Sequence, residues 1–129
     1  MSNKEDIKIN IMSFGYKYGM AEDANFVQDV RFLPNPYYDE DLKEKSGLDL
    51  SVREYVKSTP EAFEYISKLK SFLEMYISQS LMAQKENITV AIGCTGGRHR
   101  SVTVAIELFD YLISKGYNAN VSHRDIEKG

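Results

Sequence analysis

Residues 90–102 constrain the fold more than any other stretch, because an apolar run, two glycines and a helix start follow one another without a break. The apolar run at 88–92 predicts a strand that is covered on both faces. Gly96 and Gly97 permit positive φ angles and allow the backbone to approach a ligand closely. The free amides of a helix start, next to the basic side chains at 98–100, favour a bound anion at this turn.

The composition of the chain narrows the class of protein. Its 129 residues predict one domain over 1–129, long enough to bury a substantial core. The formal net charge of −3 disfavours a surface built mainly for nucleic acid, whose affinity comes from neutralised phosphates. Cys94 is the single cysteine, which excludes an intrachain disulfide and indicates a reducing compartment. No apolar run reaches the roughly 18 residues of a membrane span, so we expect a cytoplasmic protein without a membrane partner.

Basic side chains that suit anions are concentrated where the strands are predicted to end, although lysine is scattered along the chain. Four of the five arginines and both histidines fall in such stretches: Arg31, Arg98, Arg100, Arg124, His99 and His123. A guanidinium binds phosphate and carboxylate in a planar, bidentate geometry that an ammonium lacks. This distribution predicts a localised anion site on an otherwise acidic body.

The apolar pattern indicates an α/β fold. Four strands are predicted, at 7–11, 26–32, 88–92 and 118–122. Helical spacing follows Thr59 and Pro60, which suit a helix start, and recurs over 99–114. Because strands alternate with helices, we expect a small, mostly parallel sheet with helices on both faces. The loops after the strands would then lie along one edge, where ligands of open α/β sheets bind.

Two features near this edge allow more than one interpretation, and a third is predicted to be structural. The glycine-rich segment 13–19 contributes Lys17 to the edge, although a plain connection is equally consistent with its composition. Asp29 and Arg31 stand on one face of the second strand and form either an ion pair or part of a ligand site. Asp39 is predicted to cap a short structural helix through Lys45.

The central turn lacks the spacing of a nucleotide-hydrolysing Walker A loop, because Arg98 stands where the second glycine is needed. The seven residues from Cys94 to Arg100, followed by Ser101, match the C-x5-R spacing of protein tyrosine phosphatases. In that chemistry a thiolate attacks phosphorus while the turn and the arginine hold the phosphate. The histidine that usually precedes such a cysteine is replaced by Gly93, and no general acid stands out. A phosphatase-like enzyme that uses Cys94 is therefore the alternative to a binding domain.

Four motifs together resemble the C-terminal domain of the RapZ/YvcJ family: Ser-Phe-Gly at 13–15, Asp-Val-Arg-Phe-Leu-Pro-Asn-Pro at 29–36, Gly-Cys-Thr-Gly-Gly-Arg-His-Arg-Ser at 93–101 and His-Arg-Asp at 123–125. The resemblance implies a small α/β domain that senses an amino-sugar metabolite, contacts regulatory RNA in some members and forms homo-oligomers. Family members carry in addition an N-terminal P-loop domain. This sequence has no such motif, so we expect neither kinase-like nor GTPase activity.

The resulting expectation is a regulatory sensor domain without metal or cofactor, which binds a phosphorylated amino sugar or a nucleotide-sugar. An RNA-binding adaptor is a further alternative. The backbone amides of the turn and Arg100 would hold the phosphate, His99 and Asp29 would contact hydroxyl or amino groups, and Lys17 and Arg124 would complete the rim. Tyr37 occupies a position where enterobacterial members have histidine. The predicted ligand-binding residues are Thr95, Gly96, Gly97, His99, Arg100, Asp29, Lys17, Asn35, Tyr37, His123 and Arg124.

Overall fold

The structure is a computed structural model, and it describes residues 3–128. The strands are β1 (Lys8–Gly15), β2 (Phe26–Asp29), β3 (Asn87–Cys94) and β4 (Asn118–His123). The helices are α1 (Leu50–Val56), α2 (Pro60–Met82) and α3 (Arg100–Ser114), and single 3₁₀ turns cover Lys4–Asp6, Tyr16–Tyr18 and Pro36–Tyr38. The predicted α/β class is therefore confirmed.

The sheet has the strand order β2-β3-β1-β4, and every pair of neighbouring strands is parallel. Gly15 at the end of β1 is in register with Cys94 at the end of β3, and Ser13 is in register with His123 at the end of β4. In a parallel sheet the carboxyl ends of all strands meet at the same edge. The segments that follow the four strands therefore share that edge, as the sequence predicted.

The helices lie on one face of the sheet, which corrects the expectation that they cover both. Buried side chains of α2 and α3 belong to the same core cluster as Ile9 and Ile11 of β1 and Val90 and Ile92 of β3. A second, smaller cluster on the opposite face contains Phe14 and Ala91, and segment 16–25 rather than a helix packs against it. The remainder of that face is polar, which is why no helix is needed to cover it.

Local capping explains where two of the helices begin. The Thr59 side chain accepts a hydrogen bond from the Ala62 amide at 3.1 Å, and Pro60 follows as the first helical residue, so the predicted start of α2 is confirmed. Asp49 performs the same role for α1. The helix expected over 39–45 does not form; the segment makes turns instead. Its carbonyls at Lys43 and Glu44 accept hydrogen bonds from side chains of the central turn.

The segment after β4 is held by a fully buried carboxylate. Asp125 accepts hydrogen bonds from the Gly15 amide at 2.7 Å, from the Arg124 guanidinium at 2.8 Å and from the Lys128 ammonium at 2.7 Å. Burial alone raises the pKa of Asp125, but these hydrogen bonds outweigh it and lower the pKa to about 2. The ionised carboxylate thus ties the end of β1 to the C-terminal segment.

We expect Asp125→Asn to lower the free energy of unfolding at pH 7 by roughly 1–3 kcal/mol, because the buried donors lose a charged acceptor. The folded-state pKa lies below the reference value of 3.8. The stabilisation is therefore fully present above about pH 5 and is lost as the pH falls through 3.8 towards 2. Urea denaturation of both proteins between pH 7 and pH 2 should show the difference shrink with acidification.

A matched control is Asp110→Asn, which changes an exposed carboxylate on α3. It should alter stability by less than about 0.5 kcal/mol at every pH. A gap between wild type and Asp125→Asn that stays constant down to pH 2 would contradict the assigned role of the ionised carboxylate.

Candidate functional site

The turn between β3 and α3 is shaped by a backbone contact with the end of β1. Gly97 has a φ of 75°, a conformation that side chains rarely adopt. A Cβ built on Gly97 would lie 2.6 Å from the Gly15 nitrogen, and a Cβ on Gly15 would lie 2.5 Å from the Gly96 carbonyl carbon. Both positions therefore require glycine, and the contact fixes the turn against β1. The Lys17 amide reinforces it by donating to the Thr95 carbonyl at 3.2 Å.

Arg100, the first residue of α3, is a buried cation beside this turn. Its side chain donates to the Arg31 carbonyl and, at 3.4 Å, to the Thr95 hydroxyl. Only 6% of the residue is exposed, and its Nε is buried without a hydrogen-bond partner among the described residues. No side chain in the described part of the chain caps the start of α3. The turn thus combines free helix amides with a guanidinium whose donors are not all satisfied, which suits an anion.

A cavity of about 530 Å³ opens over the turn. This volume is within the roughly 300–1,000 Å³ that small-molecule sites occupy. Seven of the eleven predicted ligand-binding residues line it: Lys17, Asn35, Tyr37, Thr95, Gly96, His99 and Arg100. The structure therefore brings together predicted residues from the segments after β1, β2 and β3.

Six further residues line the same cavity: Tyr38, Lys43, Glu44, Cys94, Arg98 and Lys128. The sequence patterns indicate a role only for Cys94 and Arg98 among them. Lys43 and Glu44 lie in the segment predicted as a structural helix, and Lys128 follows the last strand. These three residues stand outside the four motifs, so no motif identifies them. Only the positive charge of Lys128, close to the His-Arg-Asp motif along the chain, indicates that it could belong to an anion site.

The cavity is strongly cationic. Within residues 3–128, five basic residues line it, against the single acidic residue Glu44. The guanidinium of Arg98 already has hydrogen-bond partners in the protein, because it donates to the Ile126 carbonyl at 3.0 Å and to the Glu44 carbonyl at 3.3 Å. Arg98 therefore fastens two cavity walls to the turn, while its charge still contributes to the field inside. An electric field of this sign favours an anionic ligand.

His99 is held as part of the wall. Its Nε2 lies 3.2 Å from the Lys43 carbonyl oxygen, and because a carbonyl only accepts, Nε2 carries the hydrogen. Burial lowers the pKa of His99, the nearby backbone carbonyls of Lys45 and Lys43 oppose that effect, and the cations Arg98 and Arg100 lower the pKa further. The ring is therefore neutral near pH 7, and one of its nitrogens links the turn to segment 39–47.

The structure places Asp29 outside the cavity lining and shows the ion pair with Arg31, one of the two roles that the sequence left open. Its carboxylate pairs with Arg31 at 2.6 Å, and both side chains are about half exposed. The hydrogen bonds from Arg31 are the main reason why the pKa of Asp29 is lowered. Arg31 also lies 4.1 Å from the centroid of the Tyr16 ring. Asp29 thus orients Arg31, whose carbonyl in turn holds Arg100.

His123, Arg124 and Gly97 also fall outside the lining of the cavity. The His123 Nδ1 lies 2.7 Å from the buried Ser13 hydroxyl. Arg124 donates to the Asp125 carboxylate and, at 2.7 Å, to the Gly19 carbonyl, and it stacks over Phe14. The side chains of His123 and Arg124 therefore join segments outside the cavity. Gly97 acts through its backbone contact with Gly15.

Cys94 lies at the base of the cavity. It is 2% exposed, and its Sγ is 3.2 Å from the Ser101 hydroxyl. Among the described residues that line the cavity, Glu44 is the only one with a carboxylic acid that could donate a proton to a leaving group. A buried thiol thus lies beside the glycine turn in the lining of the cavity.

Neither a metal-binding cluster nor a membrane-spanning helix is found in residues 3–128. No three His, Cys, Asp or Glu side chains of this range lie close enough together to hold a metal ion. None of the helices there is both long and apolar enough to cross a membrane.

Comparison with known proteins agrees with the motifs. The family model described as the RapZ C-terminal domain matches residues 7–127. A protein named "Nucleotide-binding protein" from Limosilactobacillus reuteri (strain DSM 20016) is 50% identical over 95% of this chain and 42% of its own length. Proteins of the same name from Caldicellulosiruptor saccharolyticus and Halothermothrix orenii are 47% and 45% identical over 98% and 97% of the chain, and over 43% and 44% of their own lengths. The chain thus spans less than half the length of these curated relatives.

The family match covers all four strands and nearly the whole lining of the cationic cavity, and it confirms the resemblance inferred from the four motifs. This chain belongs to the RapZ C-terminal domain family.

Proposed function

We propose that this chain is a binding domain for a phosphorylated amino sugar or a nucleotide-sugar, with a regulatory rather than a catalytic role. The observation that carries the proposal is the cationic cavity over the glycine turn, with the partly unsatisfied, buried Arg100 in its wall. The turn at 95–97 and Arg100 hold the phosphate. The self-association and the RNA contacts that the resemblance implies stay predictions.

The rest of the cavity supports a ligand larger than a lone anion. Asn35 is fixed at the start of a 3₁₀ turn, where its side chain accepts from the Tyr37 amide at 3.1 Å. Tyr37 and Tyr38 stack edge to face and line the opening. Aromatic faces and amide groups are common partners of sugar rings and bases, since they combine an apolar surface with donors and acceptors. Glu44 adds one carboxylate that can accept from an amino or hydroxyl group.

The burial of Cys94 favours a binding function over phosphatase chemistry. A nucleophilic cysteine needs an accessible thiolate in an electropositive environment, together with an acid for the leaving group. The thiol here is almost fully buried and contacts the Ser101 hydroxyl. The relatives carry a name that refers to nucleotide binding and mentions no reaction.

We expect Arg100→Ala to weaken the binding of glucosamine 6-phosphate by roughly 10- to 150-fold, because a hydrogen bond to a charged group contributes about 1.5–3 kcal/mol. Arg100→Lys keeps the charge but loses the planar fork, so its affinity should fall between those of the wild type and Arg100→Ala. Isothermal titration calorimetry measures each affinity, and inorganic phosphate should compete with the sugar phosphate. A parallel titration with a uridine diphosphate sugar tests the nucleotide-sugar alternative.

The control is Lys85→Ala, which removes an exposed cation next to the start of β3, at the opposite edge of the sheet. It should bind as the wild type does. If Arg100→Ala and Lys85→Ala bind alike while both melt as the wild type does, Arg100 does not contact the ligand. If no phosphorylated compound binds the wild type, the proposed function is wrong.

Cys94→Ser should leave the affinity for glucosamine 6-phosphate within a few-fold, because serine preserves the size and a hydrogen bond to Ser101. Neither protein should hydrolyse para-nitrophenyl phosphate. Steady turnover by the wild type that disappears in Cys94→Ser would replace the binding function with a mechanism that passes through a phosphocysteine.

A further inference from the structure

The cavity contains more positive charge than one phosphate group requires. A phosphate monoester carries about −1.5 to −2 charges at pH 7, whereas five basic residues and one acidic residue, Glu44, line the cavity in the part of the chain that the structure describes. Arg100 lies at the glycine turn, and Arg98 is occupied by backbone carbonyls. The remaining cations are Lys17, Lys43 and Lys128, whose long side chains can reach a second anionic group.

Two of these lysines, Lys17 and Lys128, come together on one wall. Their ammonium groups lie 5.2 and 4.9 Å from the centroid of the same Tyr18 ring. The Lys17 amide donates to the Thr95 carbonyl, so this wall begins directly beside the glycine turn. Lys17 belongs to the segment after β1 and Lys128 to the segment after β4, and the fold alone makes them neighbours.

The charge on this wall is not compensated by the protein. Lys128 pairs with Asp125 at 2.7 Å, but the same carboxylate also pairs with Arg124 at 2.8 Å. None of the ion pairs formed among residues 3–128 includes Lys17. Asp125 is therefore shared between two cations, and Lys17 has no carboxylate partner within residues 3–128, so positive charge remains in excess. Like charges on one wall repel each other, and a bound anion relieves the repulsion.

We infer that Lys17 and Lys128 bind a second phosphate group of the same ligand, next to the group held by the glycine turn and Arg100. The inference rests on the proposed function and narrows it. The ligand class becomes a compound with two phosphate groups, either joined as a diphosphate, as in a nucleoside diphosphate sugar, or separated on one sugar ring. Asp125 positions Lys128 for this contact through the ion pair between them.

Calorimetric titrations with four small probes test the inference. Inorganic phosphate and pyrophosphate compare one phosphate with two joined groups, and glucose 6-phosphate and glucose 1,6-bisphosphate compare one with two separated groups. We expect the wild type to bind the doubly phosphorylated member of at least one pair at least tenfold more tightly. In the double variant Lys17→Met/Lys128→Met this advantage should fall to less than about threefold, while the affinity for the singly phosphorylated member changes little.

The charge-matched control is Lys8→Met/Lys85→Met. It removes two exposed lysines from the amino-terminal edge of the sheet, where the Lys8 amide donates to the Glu86 carbonyl. This variant should keep the full preference for two phosphates, which separates local contacts from a change in net charge.

The outcomes distinguish the inference from the proposed function. If single phosphates bind but neither doubly phosphorylated probe binds more tightly, the second subsite is wrong and the proposed function stands. The inference also fails if the preference survives in Lys17→Met/Lys128→Met or is lost equally in the control variant. If none of the four probes binds, the inference is wrong, and the titrations with glucosamine 6-phosphate and a uridine diphosphate sugar decide the proposed function separately. The pair that shows the preference identifies whether the phosphates are joined or separated.

Discussion

The contact between Gly15 and the glycine turn is the constraint on which the site depends. The backbone of Gly15 touches Gly96 and Gly97 so closely that neither Gly15 nor Gly97 can carry a side chain. The Gly15 amide also donates to the buried carboxylate of Asp125. The end of β1, the turn after β3 and the segment after β4 therefore meet at one residue. A small displacement here would move the turn that faces the cavity together with the wall that carries Lys128.

The arginines of this edge divide into two roles, although the sequence presents them as one group. Arg98 and Arg124 donate mainly to backbone carbonyls and to Asp125, and they join segments that are distant along the chain. Arg100 is buried with an unsatisfied donor beside the free amides of α3. A guanidinium can satisfy several carbonyls at once, so arginine suits the joining role as well as it suits phosphate. Which role each residue has depends on the acceptors that the fold brings within reach.

The arrangement of the helices explains why the polar segments are free to form a site. With α2 and α3 packed on the face that carries Ile9, Ile11 and Val90, the core is completed on that side. The segments at the carboxyl edge then form hydrogen bonds with one another, and their remaining polar groups line the cavity. Segment 39–47 is an example, because its carbonyls at Lys43 and Glu44 accept hydrogen bonds from His99 and Arg98. The relatives are more than twice as long as this chain. The site described for this domain therefore accounts for only part of what such a longer protein contains.

The sequence by itself determined the local elements, the turn and the family. Alternating isoleucines predicted β1, Thr59 and Pro60 predicted the start of α2, and the glycines at 96 and 97 predicted a turn with room for an anion. These features follow from interactions between residues a few positions apart. The four motifs likewise indicated the family, which the match over residues 7–127 confirmed.

Only the tertiary structure decided which polar residues face the cavity. Asp29, His123 and Arg124 stand in motifs, but the fold supplies each with a partner outside the cavity: Arg31, Ser13 and Asp125 respectively. Lys43, Glu44 and Lys128 stand in no motif, and the fold places them in the lining. Ion pairs and cavity walls join residues that are far apart along the chain, and no local spacing encodes them. The sequence therefore located the glycine turn at the cavity, whereas the packing of distant segments selected the residues that surround it.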